Sequence, residues 1–280
     1  MEVNKKYIEK RLFMKNPSIL FIGAGRMAEA IITGLHKTSR DQIEKVYVSN
    51  RSNSKRLEIL TEKFGVIKVK HWRESVKNVD VIVLAMPPEQ HEAILEQLKI
   101  YVENQFIVTI AAGIGPSFLE ARLPSNSSVG WIMPNTAAEV GHSMSLYTYG
   151  KAVTETHKAQ MALLVNSIGK AQLCTEQDIH NLTAVTGSAP AFLYLFVESL
   201  IDTTEKLGVT KETSQKLVTE MVIGSAEMLK AGKSPEDLRE QVTTPGGATA
   251  EGINILVNGG FPQLIQEAIV ATNKKAKGNS

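Results

Sequence analysis

Two stretches of this chain hold residues whose types and spacing could do chemistry. The first is Gly23-Ala24-Gly25-Arg26-Met27-Ala28, directly after the apolar run Ile19–Ile22. Glycine at its first position permits a tight turn, and glycine at its second lets the backbone close on a pyrophosphate. Alanine at the third lets a helix pack tightly on the preceding strand. Unpaired N–H groups at the start of that helix would face the phosphates. The spacing alone arises often by chance. The buried strand before it, and the helical spacing of Met27, Ala28, Ile31 and Ile32 after it, make it a dinucleotide cradle. The second stretch is Thr243-Thr244-Pro245-Gly246-Gly247-Ala248-Thr249, a loop of small residues running into a helix. Its backbone N–H groups could converge on a carboxylate, and Thr249 adds a hydroxyl that donates or accepts. A plain inter-helix turn fits the same residues equally well.

Other chemistries find no footing. The six histidines are scattered, without His-Glu-x-x-His or Cys/His ligand spacing, so no metal is expected. There is neither a Gly-x-Ser-x-Gly elbow nor an obvious pair of acids for glycoside chemistry. The one cysteine, Cys174, excludes an intrachain disulfide and suits a reducing cytoplasm; it reads as a small core or boundary residue. A net charge of +2, with no basic block interleaved with aromatics, gives no sign of a nucleic-acid partner. Residues 1–17 are charged, lack the apolar core of a signal peptide, and read as an N-terminal extension. No uninterrupted apolar run reaches the length of a membrane span, so no membrane partner is expected.

The elements that must position these residues follow from periodicity. Strands are expected at Ile19–Ile22, Val46–Ser49, Gly65–Val69, Asp80–Leu84, Phe106–Ala111 and Val129–Met133, with Met144–Thr148 and Ala171–Cys174 extending the sheet. Helical patterns alternate with them, which predicts an α/β fold with a parallel, doubly wound sheet. Ligands of such sheets bind beyond the carboxyl ends of the strands. Gly23, Asn50, Ala85–Pro88, Ala111–Gly113 and Asn135 all stand at such ends. An acidic residue at the second strand end would accept the adenosine ribose hydroxyl of NAD, and none stands there. Arg51, Ser52, Lys55 and Arg56 instead offer charge and a hydroxyl to a 2′-phosphate, which favours NADP(H) and leaves NAD(H) open. Cations at a helix start oppose its dipole and need such a reason.

From about Asp178 the pattern turns helical, giving an expected division into residues 18–177 and 178–280. Helices are expected at Ala191–Leu207, Lys211–Lys230, from Ser234, at Glu251–Val257, and from Pro262 to about Lys275. The first is apolar on several faces, too much so for a lone helix, which makes it either a domain core or a subunit interface, with the interface favoured in a helical domain this small. Alcohol oxidation would need a base, and the helix after Thr186-Gly187-Ser188-Ala189-Pro190 has no lysine until Lys206. Reduction of a C=N bond asks less, because a protonated iminium is already electrophilic, and positioning with a proton source suffices.

At this point Gly23–Ala28, Val108–Gly113, Met133–Thr136, Thr186–Phe192 and Val242–Thr249, in this order from Ser18 to Lys275, resemble the pyrroline-5-carboxylate reductases. The last motif, with Gly252 and Gly259-Gly260-Phe261, is the most specific. The resemblance implies an N-terminal Rossmann domain and a C-terminal all-helical dimerisation domain, with homodimers often assembled into decamers. It implies NAD(P)H-dependent reduction of 1-pyrroline-5-carboxylate to L-proline in the cytoplasm. Carried over, Gly23, Ala24, Gly25, Arg26, Met27 and Ala28 hold the pyrophosphate, and Asn50, Arg51 and Ser52 meet the adenosine ribose and its phosphate. Ala85, Met86, Pro87, Pro88, Ala111, Ala112 and Gly113 line the cofactor, with Asn135 near the nicotinamide. Ser188, Gly246, Gly247, Ala248 and Thr249 bind the substrate, Thr249 bonding the ring nitrogen as the catalytic candidate. Three positions depart from the family pattern: Pro87 where a lysine is usual, Trp72 where an asparagine is common, and Ala189 for a glycine. They leave open a reductase of another small cyclic imine or oxo acid, or a weakly catalytic NADP-binding regulatory protein.

Overall fold

The computed structural model describes residues 15–276. The extension expected over residues 1–17 lies, as far as residue 14, outside the described residues. The chain divides into two compact units, one up to Gly187 and one from Ser188.

The first unit is an eight-stranded sheet. Its strands are β1 (Ile19–Ile22), β2 (Val46–Ser49), β3 (Ile67–Val69), β4 (Val81–Leu84), β5 (Phe106–Thr109), β6 (Ser128–Met133), β7 (Ser143–Tyr149) and β8 (Gly169–Leu173). The order is β3-β2-β1-β4-β5-β6-β7-β8. All neighbours run parallel except β6 and β7, which pair antiparallel from Gly130 opposite Tyr149 to Met133 opposite Leu146. Alternate residues of the central strands point to opposite cores. Ile19 and Phe21 of β1, Val81 and Val83 of β4, and Phe106 and Val108 of β5 join one cluster. Leu20 and Ile22, Ile82 and Leu84, and Ile107 join the other. Burial on both faces is why these runs are continuously apolar and β-branched, and why helices cover both sides.

The helices of this unit are α1 (Arg26–Thr38), α2 (Ser54–Phe64), α3 (His91–Leu98), α4 (Pro116–Glu120), α5 (Glu155–Asn166) and α6 (Glu176–Thr183). Before β4 the chain forms a 3₁₀ run, Trp72–Asn78, with Trp72 and Val76 buried in the second core. The sheet unit also extends ten residues beyond its expected end at residue 177. Ile179 of α6 is buried against Trp131 and Leu146, so this helix packs as a cover of the sheet. A capping box at Thr175 and Asp178 fixes its start, and Glu176 accepts hydrogen bonds from Ser117 N–H and Oγ.

The second unit holds α7 (Ala189–Lys206), α8 (Lys211–Lys230), α9 (Pro235–Gln241), α10 (Ala248–Asn258) and α11 (Phe261–Ala276). A π-turn at Ala184–Ser188 joins α6 to α7. The resulting run, Glu176–Lys206, is by length and composition apolar enough to cross a membrane, contrary to the sequence expectation. Thr183, Thr186, Gly187 and Ser188 interrupt the apolar run, but being uncharged they neither end the helix nor make it strongly polar. In this unit α7, α9, α10 and α11 contain no buried residue in the single chain. Leu195, Ile255 and Leu264 are each more than half exposed. Helices this apolar need a covering surface.

Candidate active site

β1 ends at Ile22 and turns at once through Gly23, whose φ is +112°. A β-carbon there would collide with the carbonyl of Ala85 at the end of β4, so both backbone angle and neighbours demand glycine. Gly25 differs. Its φ of −71° suits any residue, and a β-carbon on it would meet nothing within 4 Å. Neither the backbone angle nor any neighbour requires glycine at position 25, and open space lies above the start of α1. Gly25 is the N-cap of α1 and no side chain caps the helix, so its first N–H groups remain available to an anion. A dinucleotide pyrophosphate fits this cradle.

A cavity of about 1620 Å³ opens beside it. Gly23, Ala24, Gly25, Arg26, Asn50, Arg51, Ser52, Ala85, Met86 and Pro87 all line it. Among the candidates of this unit, Met27, Ala28, Pro88, Ala111, Ala112, Gly113 and Asn135 do not. Ala28 is buried in the first core and Met27 packs against it, so they seat α1 on the sheet rather than touch the cavity. The Arg26 guanidinium pairs with Glu139 at 2.9 Å, leaving its backbone as the part that faces the cradle.

The basic residues after β2 separate into two kinds. Arg51 and Ser52 are exposed on the cavity wall. Arg56 is not free: its Nε donates to the Ala24 carbonyl at 3.1 Å and its guanidinium pairs with Glu29 of α1. It braces the glycine loop while also lining the cavity, so its charge there is shared with Glu29. Glu29 also supplies the local reason for a cation in the first turn of α2. Asn53 caps that turn, accepting the Arg56 N–H at 3.0 Å.

The remaining candidates continue along the sheet edge at the ends of β5 and β6. Strands lie roughly 4.8 Å apart, so the four steps from the β2 end at Asn50 to the β6 end at Asn135 span about 19 Å. The strand order reverses between β1 and β4, the switch point where such sheets bind ligands. Ala111 is pinned from both sides: its N–H donates to Thr109 Oγ1 at 3.2 Å, and its carbonyl accepts from Trp131 Nε1 at 2.9 Å. Asn135 is also held, accepting from Ala137 N–H and donating to the Thr186 carbonyl at 2.9 Å.

In the helical unit, Gly246 turns the chain at φ +71° and Gly247 is the N-cap of α10. This helix starts at Ala248, earlier than the expected Glu251, because the two glycines complete the turn, with Gly247 N–H donating to the Thr244 carbonyl at 2.9 Å. Ala248 and Thr249 therefore sit in a first helical turn that no side chain caps, with Thr249 exposed. This is a second anion-receptive helix start. Ser188 closes the π-turn at the head of α7. Among the described residues, no group of three or more His, Cys, Asp or Glu could hold a metal ion.

Comparison with known proteins meets this geometry from both ends. Residues 176–279 match the family model described as pyrroline-5-carboxylate reductase dimerisation, and residues 18–113 match the model described as NADP oxidoreductase coenzyme F420-dependent. Pyrroline-5-carboxylate reductase 1 of Bacillus subtilis (strain 168) is 32% identical over 279 residues, covering 99% of this chain and 94% of that protein. The chain belongs to the pyrroline-5-carboxylate reductase family. A pyrroline-5-carboxylate reductase structure from Coxiella burnetii superimposes with a TM-score of 0.85 at 32% identity, covering 95% of this chain and 99% of that one. The Plasmodium falciparum pyrroline carboxylate reductase, solved with NADP bound, gives a TM-score of 0.85 at 30% identity, covering 95% and 100%.

Two of the departures from the reductase pattern lie on the cavity wall. Trp72 is packed edge-on against Tyr101 at 6.3 Å, with the Arg73 guanidinium 5.0 Å from its ring. Pro87 lines the wall beside Ala85 and Met86. Lys70, His71 and Arg73 also line the cavity, and sequence reasoning missed them because they lie in the irregular link before β4. It missed His91 as well. That residue is fully buried, and burial lowers its imidazole pKa. The available signal was a histidine at helical spacing with the buried Leu95 and Leu98.

Proposed function

We propose that this chain is an NADPH-preferring reductase that converts 1-pyrroline-5-carboxylate to L-proline. The observation that carries the reading is Gly25, a glycine that neither backbone angle nor neighbour requires, with free space above an uncapped helix start, on a cavity that reaches the β2 end. When bound, the cofactor supplies a hydride to the imine carbon. The chain's own residues do the rest. Gly23–Ala28 seat the pyrophosphate through backbone N–H groups, while Asn50, Arg51 and Ser52 receive the adenosine ribose and its 2′-phosphate. Ala85–Pro88, Ala111–Gly113 and Asn135 form the wall beyond the switch point. Ser188, Gly246, Gly247 and Ala248 hold the substrate carboxylate at the start of α10, and the Thr249 hydroxyl bonds the ring nitrogen. That nitrogen enters protonated, as an iminium, and leaves as the amine once the adjacent carbon has taken the hydride.

The unburied faces of α7, α10 and α11 support a homodimer built through the helical unit, and further assembly to a decamer. A soluble dimer seen by light scattering separates this from membrane insertion of Glu176–Lys206. NADH serves more weakly than NADPH, and the enzyme works in the cytoplasm, without nucleic acid or metal. NADPH must be consumed when pyrroline-5-carboxylate is added to the purified protein, with proline as product. No turnover with either cofactor across pH overturns the assignment, and turnover of a homologous imine alone transfers it to that substrate.

A further inference from the structure

His91 joins the end of β4 to the end of β5. Its Nδ1 lies 3.2 Å from the Pro87 carbonyl oxygen and its Nε2 lies 2.9 Å from Thr109 Oγ1. A carbonyl can only accept, so Nδ1 carries the hydrogen, and the neutral ring offers Nε2 as an acceptor for the Thr109 hydroxyl. Thr109 Oγ1 in turn accepts the Ala111 N–H at 3.2 Å. The result is one hydrogen-bonded chain from the peptide of Pro87 to the peptide of Ala111. The Trp131 indole holds the far side of Ala111, and its ring lies 4.9 Å from that of His180.

The fold by itself does not call for this histidine. The Pro87 carbonyl already accepts the Gln90 N–H at 3.0 Å. An apolar side chain at position 91 would fill the same space beside Leu95 and Leu98 without taking a polar ring out of water. What the imidazole adds is a fixed distance between two backbone segments on neighbouring strand ends. We propose that His91 is a positioning residue for the cofactor, acting through Thr109 to hold Ala85–Pro88 and Ala111–Gly113 in register across the switch point. The inference rests on the reading of these segments as the cofactor wall. It places a fixed linkage behind the loop that carries Pro87.

The test compares Thr109→Val, which keeps shape and removes the hydroxyl, with Thr109→Ser, which keeps the hydroxyl, and with His91→Asn, which does not reach Thr109. NADPH Kd is measured by fluorescence titration, and KM for NADPH and for pyrroline-5-carboxylate by steady-state kinetics. Thr109→Val and His91→Asn each raise the NADPH Kd about fivefold, the net worth of roughly one hydrogen bond. KM for pyrroline-5-carboxylate stays within about twofold, and Thr109→Ser restores the wild-type Kd. The double variant is no worse than the weaker single, as one shared linkage requires. NADPH affinity within about twofold of wild type in both Thr109→Val and His91→Asn overturns the proposal, even where the melting temperature falls. If His91→Asn does not fold, Thr109→Val against Thr109→Ser decides alone. Wild-type protein that binds NADPH but leaves pyrroline-5-carboxylate untouched overturns the substrate reading, and the Kd comparison still judges His91.

Discussion

Gly23→Ala and Gly25→Ala add the same methyl group two residues apart, with opposite consequences. At position 23 the methyl must sit on a backbone with φ +112° and against the Ala85 peptide, which cannot swing away as a side chain would. Backbone strain of that kind costs about 1–3 kcal/mol, and forcing a methyl into a filled space costs roughly another 1–3 kcal/mol. The sheet unit should therefore lose about 2–6 kcal/mol, or on the order of 4–20 °C in melting temperature for a domain this size. At position 25 the φ is −71° and no atom stands within 4 Å, so stability should move by no more than about 0.5 kcal/mol. NADPH affinity should nevertheless fall at least tenfold, about 1.4 kcal/mol, because the methyl occupies the space a pyrophosphate needs. Thermal unfolding and fluorescence titration on the same samples read the two effects separately. A Gly25→Ala protein that binds NADPH as tightly as wild type would refute the claim that ligand space dictates this glycine.

Three further outcomes are expected. Thr249→Ala should lower kcat with pyrroline-5-carboxylate by about tenfold or more while the NADPH Kd stays put, since it removes a substrate contact alone. Arg51→Asp should reduce the ratio of NADPH to NADH efficiency, whereas Arg56→Ala, which breaks the brace to Glu29, should lower the melting temperature and leave that ratio nearly unchanged. The pH dependence of stability should report His91, whose pKa burial lowers below the ordinary 6.5. Below 6.5 the unfolded chain takes up a proton that the folded chain refuses, so stability is fully present above 6.5 and declines as pH falls towards the folded value. The slope from this group cannot exceed about 1.4 kcal/mol per pH unit. His91→Gln should flatten unfolding free energy against pH in that window, leaving the part due to His157, whose pKa burial also lowers.

Much of the sheet was legible in the sequence because its strands are buried on both faces and read as uninterrupted apolar runs: Ile19–Ile22, Val81–Leu84 and Phe106–Thr109 are each fully buried. Half-exposed pieces were harder. The 3₁₀ run Trp72–Asn78 buries Trp72, Ser75 and Val76 at i, i+3 and i+4, a helical spacing that is too short, and too polar at Ser75, to stand out from a connector. The boundary expected after residue 177 falls at the start of α6, as does that of the dimerisation family model, while Ile179 under Trp131 packs this helix on the sheet. At the site, residue type predicted what backbone does and failed on what side chains do. Gly23 and Gly25 followed from their lack of a β-carbon. Arg56 was read as a cation offered to phosphate, and it pairs with a glutamate distant in sequence, Glu29, as Arg26 does with Glu139. Such pairings depend on tertiary contacts that no local spacing records.

Helix starts show where the chain forgoes stability. The helices α2, α5, α6, α8 and α9 open with a side-chain cap from Asn53, Thr154, Thr175, Thr210 and Ser234. The short α4 receives the carboxylate of Glu176 instead. The starts of α3 and α7 also lack a side-chain cap but follow directly on a 3₁₀ and a π turn. By contrast α1 and α10 open on Gly25 and Gly247 in ordinary extended conformations with no side chain reaching back, and at position 247 a β-carbon would also press on Thr244. A capping side chain at either place would satisfy one of the first N–H groups. It would also fill the position from which those groups can meet a phosphate or a carboxylate. Where local rules favour a cap and the chain withholds it, the unsatisfied N–H groups point to a ligand. These two starts belong to the two stretches whose residue types first suggested chemistry, one suited to a pyrophosphate and one to a small carboxylic acid. Gly25→Asp should leave the melting temperature unchanged or raised while abolishing NADPH binding. Gly247→Asp, whose β-carbon would press on Thr244, should raise the KM for pyrroline-5-carboxylate, leave the NADPH Kd in place and lower the melting temperature.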